Sequence, residues 1–136
     1  GEMFVTCCKD GKVRFWETAS GKPTGMVLEH RDWANSAEFS PDGRLLVTTS
    51  DDKTAQVWEV ESGARVGKPI GHADMVQHAC FSRDGRRLLT ATANDCGGLW
   101  SIGAEEVKGI AWLLHEHNVP YGVLQPRRLL GCHGFL

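Results

Sequence analysis

Phe39-Ser40-Pro41-Asp42-Gly43, running into Arg44–Ser50 and then Thr54-Ala55-Gln56-Val57-Trp58, is the stretch that decides the fold. Asp42-Gly43 sits between two β-prone runs, and a glycine there takes a positive φ without steric cost, which marks a tight hairpin turn. Arg44–Ser50 is a nearly continuous run of Leu, Val and Thr and reads as a strand buried on both faces. Asp51-Asp52-Lys53 makes a second turn, and Thr54–Trp58 alternates as a half-buried strand does.

The same sentence is written again downstream. Phe81-Ser82-Arg83-Asp84-Gly85 leads into Arg86–Thr92 and ends at Trp100. Sliding residues 17–58 onto 59–100 matches 15 of 42 positions without a gap, His30/His72, Asp42/Asp84, Thr48/Thr90 and Trp58/Trp100 among them. Composition alone would give about two or three. Trp16, Trp58 and Trp100 mark the period, 42 residues each time. A fixed period near 40 residues is the signature of a repeat architecture, in which function lies on the surface the copies build together.

Working outward, Glu2–Cys8 pairs with Arg44–Ser50, and Asp10 and Trp16 with Asp52 and Trp58, so residues 1–16 read as the second half of a unit. Two full units follow, 17–58 and 59–100, and then the start of another at 101–119. After each Trp a turn with Gly21 or Gly63 reverses the chain, and a weaker fourth strand runs toward His30 or His72. Four short antiparallel strands per unit, and no helical stripe of convincing length, predict an all-β chain.

The marks His30, Phe39–Gly43, Ser50, Asp52 and Trp58-Glu59 recur as Gly71-His72, Phe81–Gly85, Thr92, Asn94 and Trp100-Ser101. Over residues 1 to about 119 this pattern resembles the WD-repeat β-propeller family. The resemblance implies four-stranded blades stacked radially around a channel. A closed ring takes about four to eight blades. About three are visible here, so the expected architecture is an incomplete ring, its remaining blades supplied by a longer chain or by self-association.

In that family the matching His, Ser/Thr, Asp and Trp form a buried hydrogen-bond network that holds each blade. Carried onto this chain, the network is His30, Ser50, Asp52 and Trp58, repeated as His72, Thr92, Asn94 and Trp100. A hydrolytic triad of Ser50, His30 and Asp52 is the competing reading. Recurrence of the set favours structure, since one active site needs no second copy. In the second set Asn94 replaces the acid, and Gly97-Gly98 replace Ala55-Gln56, which weakens a strand. A poorer network and a softer blade are expected there.

His115, His117, Cys132 and His133 suggest a metal site on residue type alone. With one inserted residue, however, His115 aligns with His72 as a turn histidine, and no metal, cofactor or catalytic residue is expected. No glycine-rich phosphate loop is present, since the glycines sit at turns set by the repeat. Five cysteines, odd in number and irregular in spacing, read as buried thiols rather than a disulfide framework. With 15 basic and 17 acidic residues and no basic cluster, generic binding to nucleic acid or an acidic membrane is disfavoured. No apolar run approaches a membrane span, and cytoplasm is the default location.

What remains for function is the exposed rim. The resemblance implies docking on the face made by the loops around the turn His and the turn Asp. The candidates are Lys9, Arg31, Asp32, Trp33, Asp51, Asp74 and Met75. Trp33, a large aromatic beside charged residues, has the character of an interface anchor, or else packs at the start of a strand. The expected role is a protein-interaction scaffold without chemistry of its own. The spacing and Gly-rich turns such as Ser62–Pro69 resemble bacterial members of the family, which gives an alternative: the C-terminal regulatory propeller of a larger enzyme such as a serine/threonine kinase.

Residues 120–136 break the pattern. With permitted codons, Gly122–Arg128 read one nucleotide later becomes Ala-Phe-Ser-Ser-Pro-Asp-Gly, which restores the repeat. The tail is therefore expected to be frameshifted or a divergent cap, with Leu129-Leu130 and Phe135-Leu136 an aggregation liability if exposed.

Overall fold

A computed structural model describes residues 2–94 and 96–114. The expectations for residues 120–136 and for His115, His117, Cys132 and His133 lie outside these. Among the described residues there is no helix, and eleven antiparallel strands form three sheets. The first sheet holds β1 (Met3–Cys7), β2 (Lys12–Glu17) and β3 (Pro23–Glu29) in the order β1-β2-β3. The second holds β4 (Ala34–Phe39), β5 (Leu45–Ser50), β6 (Thr54–Glu59) and β7 (Arg65–Gly71) in sequence order. The third holds β8 (Val76–Phe81), β9 (Arg87–Thr92), β10 (Cys96–Ile102) and β11 (Val107–Leu114), again as a simple meander.

The turns behave as their residues dictate. Gly43 and Gly85 take φ of 74° and 71°, and Ser40 and Ser82 Oγ donate to Asp42 and Asp84 Oδ1, both at 2.6 Å. Those hydroxyl bonds, with backbone N–H donors, hold both carboxyls below their usual pKa. Among the described residues Lys53, in the β5–β6 turn, is the non-glycine residue with positive φ, at 70°. Prolines in the strands sit only where a missing N–H is tolerated, at the sheet edges: Pro23 in β3 and Pro69 in β7.

The sheets stack face to face, and two cores fill the gaps. Between the first and second sheets lie Val13, Phe15, Leu28, Leu46 and Trp58. Between the second and third lie Val47, Val57, Ile70, Val76, Phe81 and Leu88. Adjacent residues Leu46 and Val47 thus face opposite cores, which is why β5 reads as apolar throughout rather than alternating. Sheet boundaries are offset from the sequence unit. Residues 17–58 supply the last strand of one sheet and the first three of the next, so each unit bridges two sheets.

Cys7, Cys8, Cys80 and Cys96 are free thiols. Burial, and then the neighbouring Cys8, push the Cys7 thiol up to about 11, so it stays protonated at neutral pH.

Candidate functional site

The polar residues divide into a buried set and an exposed set. In the buried set, His30 follows β3, where its N–H is held by Gly11 O at 2.9 Å in the first sheet. Its side chain crosses to the second sheet. Nδ1 contacts Asp52 Oδ2 at 3.0 Å and Nε2 contacts Thr48 Oγ1 at 2.7 Å. Trp58 Nε1 donates to the same Thr48 oxygen at 2.8 Å. An acceptor-only carboxylate at Nδ1 places the ring proton there. Nε2 then accepts from Thr48, and Thr48 accepts from the indole. Every member is satisfied, as a buried network requires.

The strand hydroxyl in this network is therefore Thr48, not the expected Ser50. Ser50 Oγ donates instead to Asp32 O at 3.1 Å and accepts from Asp52 N at 3.0 Å, which ties the loop before β4 to the β5–β6 turn. Reach explains the difference. Leu46 lies opposite Trp58 and Thr48 opposite Gln56, so the indole extends two residues to Thr48. Ser50 lies roughly 7 Å further along the strand. Sequence held the signal: Thr6, Thr48 and Thr90 share the 42-residue period. They accept the indole N–H of Trp16, Trp58 and Trp100 at 2.9, 2.8 and 3.0 Å.

In the third sheet His72 Nε2 contacts Thr90 Oγ1 at 2.8 Å, but Nδ1 contacts the backbone Ile70 O at 3.0 Å. Thr92, like Ser50, is outside the link: it donates to Asn94 Oδ1 at 2.7 Å and Cys96 O at 2.9 Å. Among the described residues neither Asn94 nor any carboxylate bonds the His72 imidazole. Burial pushes the His72 pKa down, against hydrogen bonds that favour the charged form. Burial also opposes ionisation of Asp52. Bonds from Thr54, the Arg31 N–H and His30 outweigh it, and the Asp52 pKa is lowered.

Thr48, His30 and Asp52 make a hydroxyl–imidazole–carboxylate relay of the kind that activates a nucleophile. Thr48 is 0% exposed and its oxygen already carries the Trp58 indole. No substrate carbonyl can approach it, and the relay is a strut.

The exposed set gathers at one end of the sheets, around the β1–β2, β3–β4, β5–β6 and β7–β8 connections. Trp33 is 45% exposed and lies outside β4, so it does not pack as a strand residue. Lys9 Nζ sits 4.6 Å from its ring centroid. Trp33 O accepts from Asp51 N at 2.9 Å, and Asp32 Oδ1 from Trp33 N at 2.8 Å, which fixes the backbone below the ring. Asn35 Nδ2 then joins Asp51 Oδ1 at 2.7 Å to Val76 O at 2.9 Å. That bond carries the surface across to Met75, which is 38% exposed and whose N–H is held by Asp74 Oδ1 at 2.8 Å.

The structure thus brings Lys9, Asp32, Trp33, Asp51, Asp74 and Met75 to the same end of the sheets, linked through Asn35. Arg31 stands slightly apart, its N–H on Asp52 Oδ2 at 3.1 Å. Asn35, the residue that joins the two halves, was missed from sequence because position 77 in the next repeat is Gln and the pattern is not shared. Among the described residues no three His, Cys, Asp or Glu side chains gather as a metal site.

No curated protein matches the chain. The family described as "WD domain, G-beta repeat" matches at residues 1–17, 21–59 and 63–101. Those three matches end just past Trp16, Trp58 and Trp100, the residues whose indoles close the Thr links in the three sheets, and the chain belongs to that family.

Proposed function

We propose that the chain is a protein-interaction module that docks a protein or peptide partner on the loop end of its sheets, with Trp33 and Met75 as anchors and no catalysis of its own. Repeats of this family generally mediate protein–protein interaction. The observation that carries the reading is the exposure of two large apolar side chains at equivalent positions, 33 and 75, on a backbone held rigid by side-chain bonds. Exposed apolar groups on rigid loops, ringed by charge, are the makings of an interface hot spot. The polar constellation that could have argued for catalysis is spent inside the sheets. In this reading further blades come from a longer chain or from a second copy, and the setting is the cytoplasm.

The test is site-specific photocrosslinking in the cells that make the protein. A crosslinker at position 33 or 75 is expected to capture the same partner. The same group at position 61, in the β6–β7 turn at the opposite end of the sheets, should not. Equal capture from position 61, or none from 33 and 75, would overturn the proposal.

A further inference from the structure

The two gaps between sheets are built alike but filled differently. On the third sheet Gly98 lies opposite Trp112. Trp112 packs edge-to-face on Trp100 and on His72, with ring centroids 5.3 and 5.6 Å apart. Gly98 lets the Trp100 indole lie against its own strand: a Cβ there would lie 2.6 Å from the Trp100 indole nitrogen. On the second sheet the counterparts are Gln56 for Gly98, Trp58 for Trp100 and His30 for His72. Ala55 lies opposite Ile70 and Gly97 opposite Leu113, so Pro69, next along β7, is the counterpart of Trp112, although the register of β6 and β7 shifts between Ala55 and Val57.

Pro69 is too small to fill the place. A cavity of about 250 Å³ remains beside it, lined by His30, Gln56, Trp58, Arg65 and Arg31 among others. Gln56 also carries a buried carbonyl oxygen, Oε1, that has no hydrogen-bond partner. Arg65 lies 5.3 Å over the Trp58 ring. Neither Arg65 nor Arg31 has an ion pair among the described residues, whereas Glu29 on the same rim is held by Lys12 at 3.6 Å.

We infer that this cavity is a receptor for an indole side chain of a partner peptide, followed by a carboxylate that pairs with Arg31 or Arg65. The third sheet shows the occupied form of the same site, with Trp112 as its built-in occupant. An indole offers the ring that packs edge-to-face on Trp58 and His30. The site is separate from Trp33 and Met75. Of the rim candidates on those connections, only Arg31 and the adjacent turn serve both.

The experiment titrates the full chain with N-acetyl-Trp-Glu-amide and, in parallel, N-acetyl-Leu-Glu-amide, following the Trp58 indole N–H by NMR. The Trp peptide should shift that resonance saturably, and the Leu peptide should bind about tenfold more weakly or less. Pro69→Trp fills the cavity from within and should abolish the response. Trp112→Ala empties the third-sheet site and should make the Trp100 resonance respond to the Trp peptide. Equal shifts from the two peptides, or unchanged binding by Pro69→Trp, would overturn the inference. Should Pro69→Trp not fold, Arg65→Glu on the exposed rim decides: binding about tenfold weaker supports the site, and unchanged binding refutes it.

Discussion

Thr48 shows how one hydroxyl can decide the join between two sheets. It serves His30 and Trp58 at once, and it is fully buried. Thr48→Val keeps the shape but leaves an imidazole nitrogen and an indole N–H unpaired, so it should lower unfolding free energy by about 2 kcal/mol. Urea denaturation measures this, and a loss under about half a kcal/mol would remove Thr48 from its assigned role. Titration adds a second expectation. The His72 pKa is lowered in the fold, so the unfolded chain binds more protons as pH drops. Stability from this group is complete above the ordinary value of 6.5 and is lost as pH falls through the lowered folded value. Asp52 follows the same sign at more acidic pH: its contribution is present above 3.8 and fades as pH falls through its lowered value. Urea midpoints across mildly acidic pH should therefore fall in the wild type and be flatter there in His72→Gln. The choice of Thr48 over Ser50 was hard to read because both residues point to the same face of β5. Only the distance along the strand from Trp58 separates them.

At the scale of strands, β6 and β10 occupy equivalent places and differ in what they carry. β6 has Ala55 and Gln56 before Val57-Trp58, whereas β10 has Gly97-Gly98 before Leu99-Trp100; each strand has a register shift against its edge-strand neighbour, between Ala55 and Val57 in β6 and between Leu99 and Trp100 in β10. Among the described residues, the histidine docked on β10 bonds a backbone carbonyl where His30 bonds a carboxylate. Backbone amides of residues 97–101 should exchange faster than those of 55–59 in a hydrogen-exchange experiment, and equal protection would contradict this. Leu46 and Leu88, both fully buried but in different gaps, should each cost about 2–5 kcal/mol when cut to Ala. Strands, turns and the pairing within each sheet were legible because Asp-Gly turns and the 42-residue period set them locally. The role of Trp112 was not. It lies in an edge strand shifted by one inserted residue, so the period that reveals Trp16, Trp58 and Trp100 hides this one.

Taken whole, the molecule ties its turns and joins its sheets with buried polar groups and leaves one end of the stack for contact. Three tryptophans at the repeat interval are structural, and Trp33 and Trp112, which fall outside it, are the exposed ones. The rim could be read from sequence as a set of loops, because the family pattern places them. Its continuity could not, since the bond from Asn35 to Val76 O spans two sheets. Trp33→Ala should leave the urea midpoint within experimental error while abolishing partner capture from position 75, the opposite of what loss of Trp58 would do.

The five indole N–H groups put this division to the test in one spectrum. In hydrogen–deuterium exchange, Trp58 should be the slowest, Trp16 and Trp100 protected through Thr6 and Thr90, and Trp33 and Trp112 exchanged at the rate of free indole. A Trp58 that exchanges freely, or a Trp33 protected as strongly as Trp58, would contradict the division between repeat tryptophans that hold the sheets and an exposed rim tryptophan left for a partner.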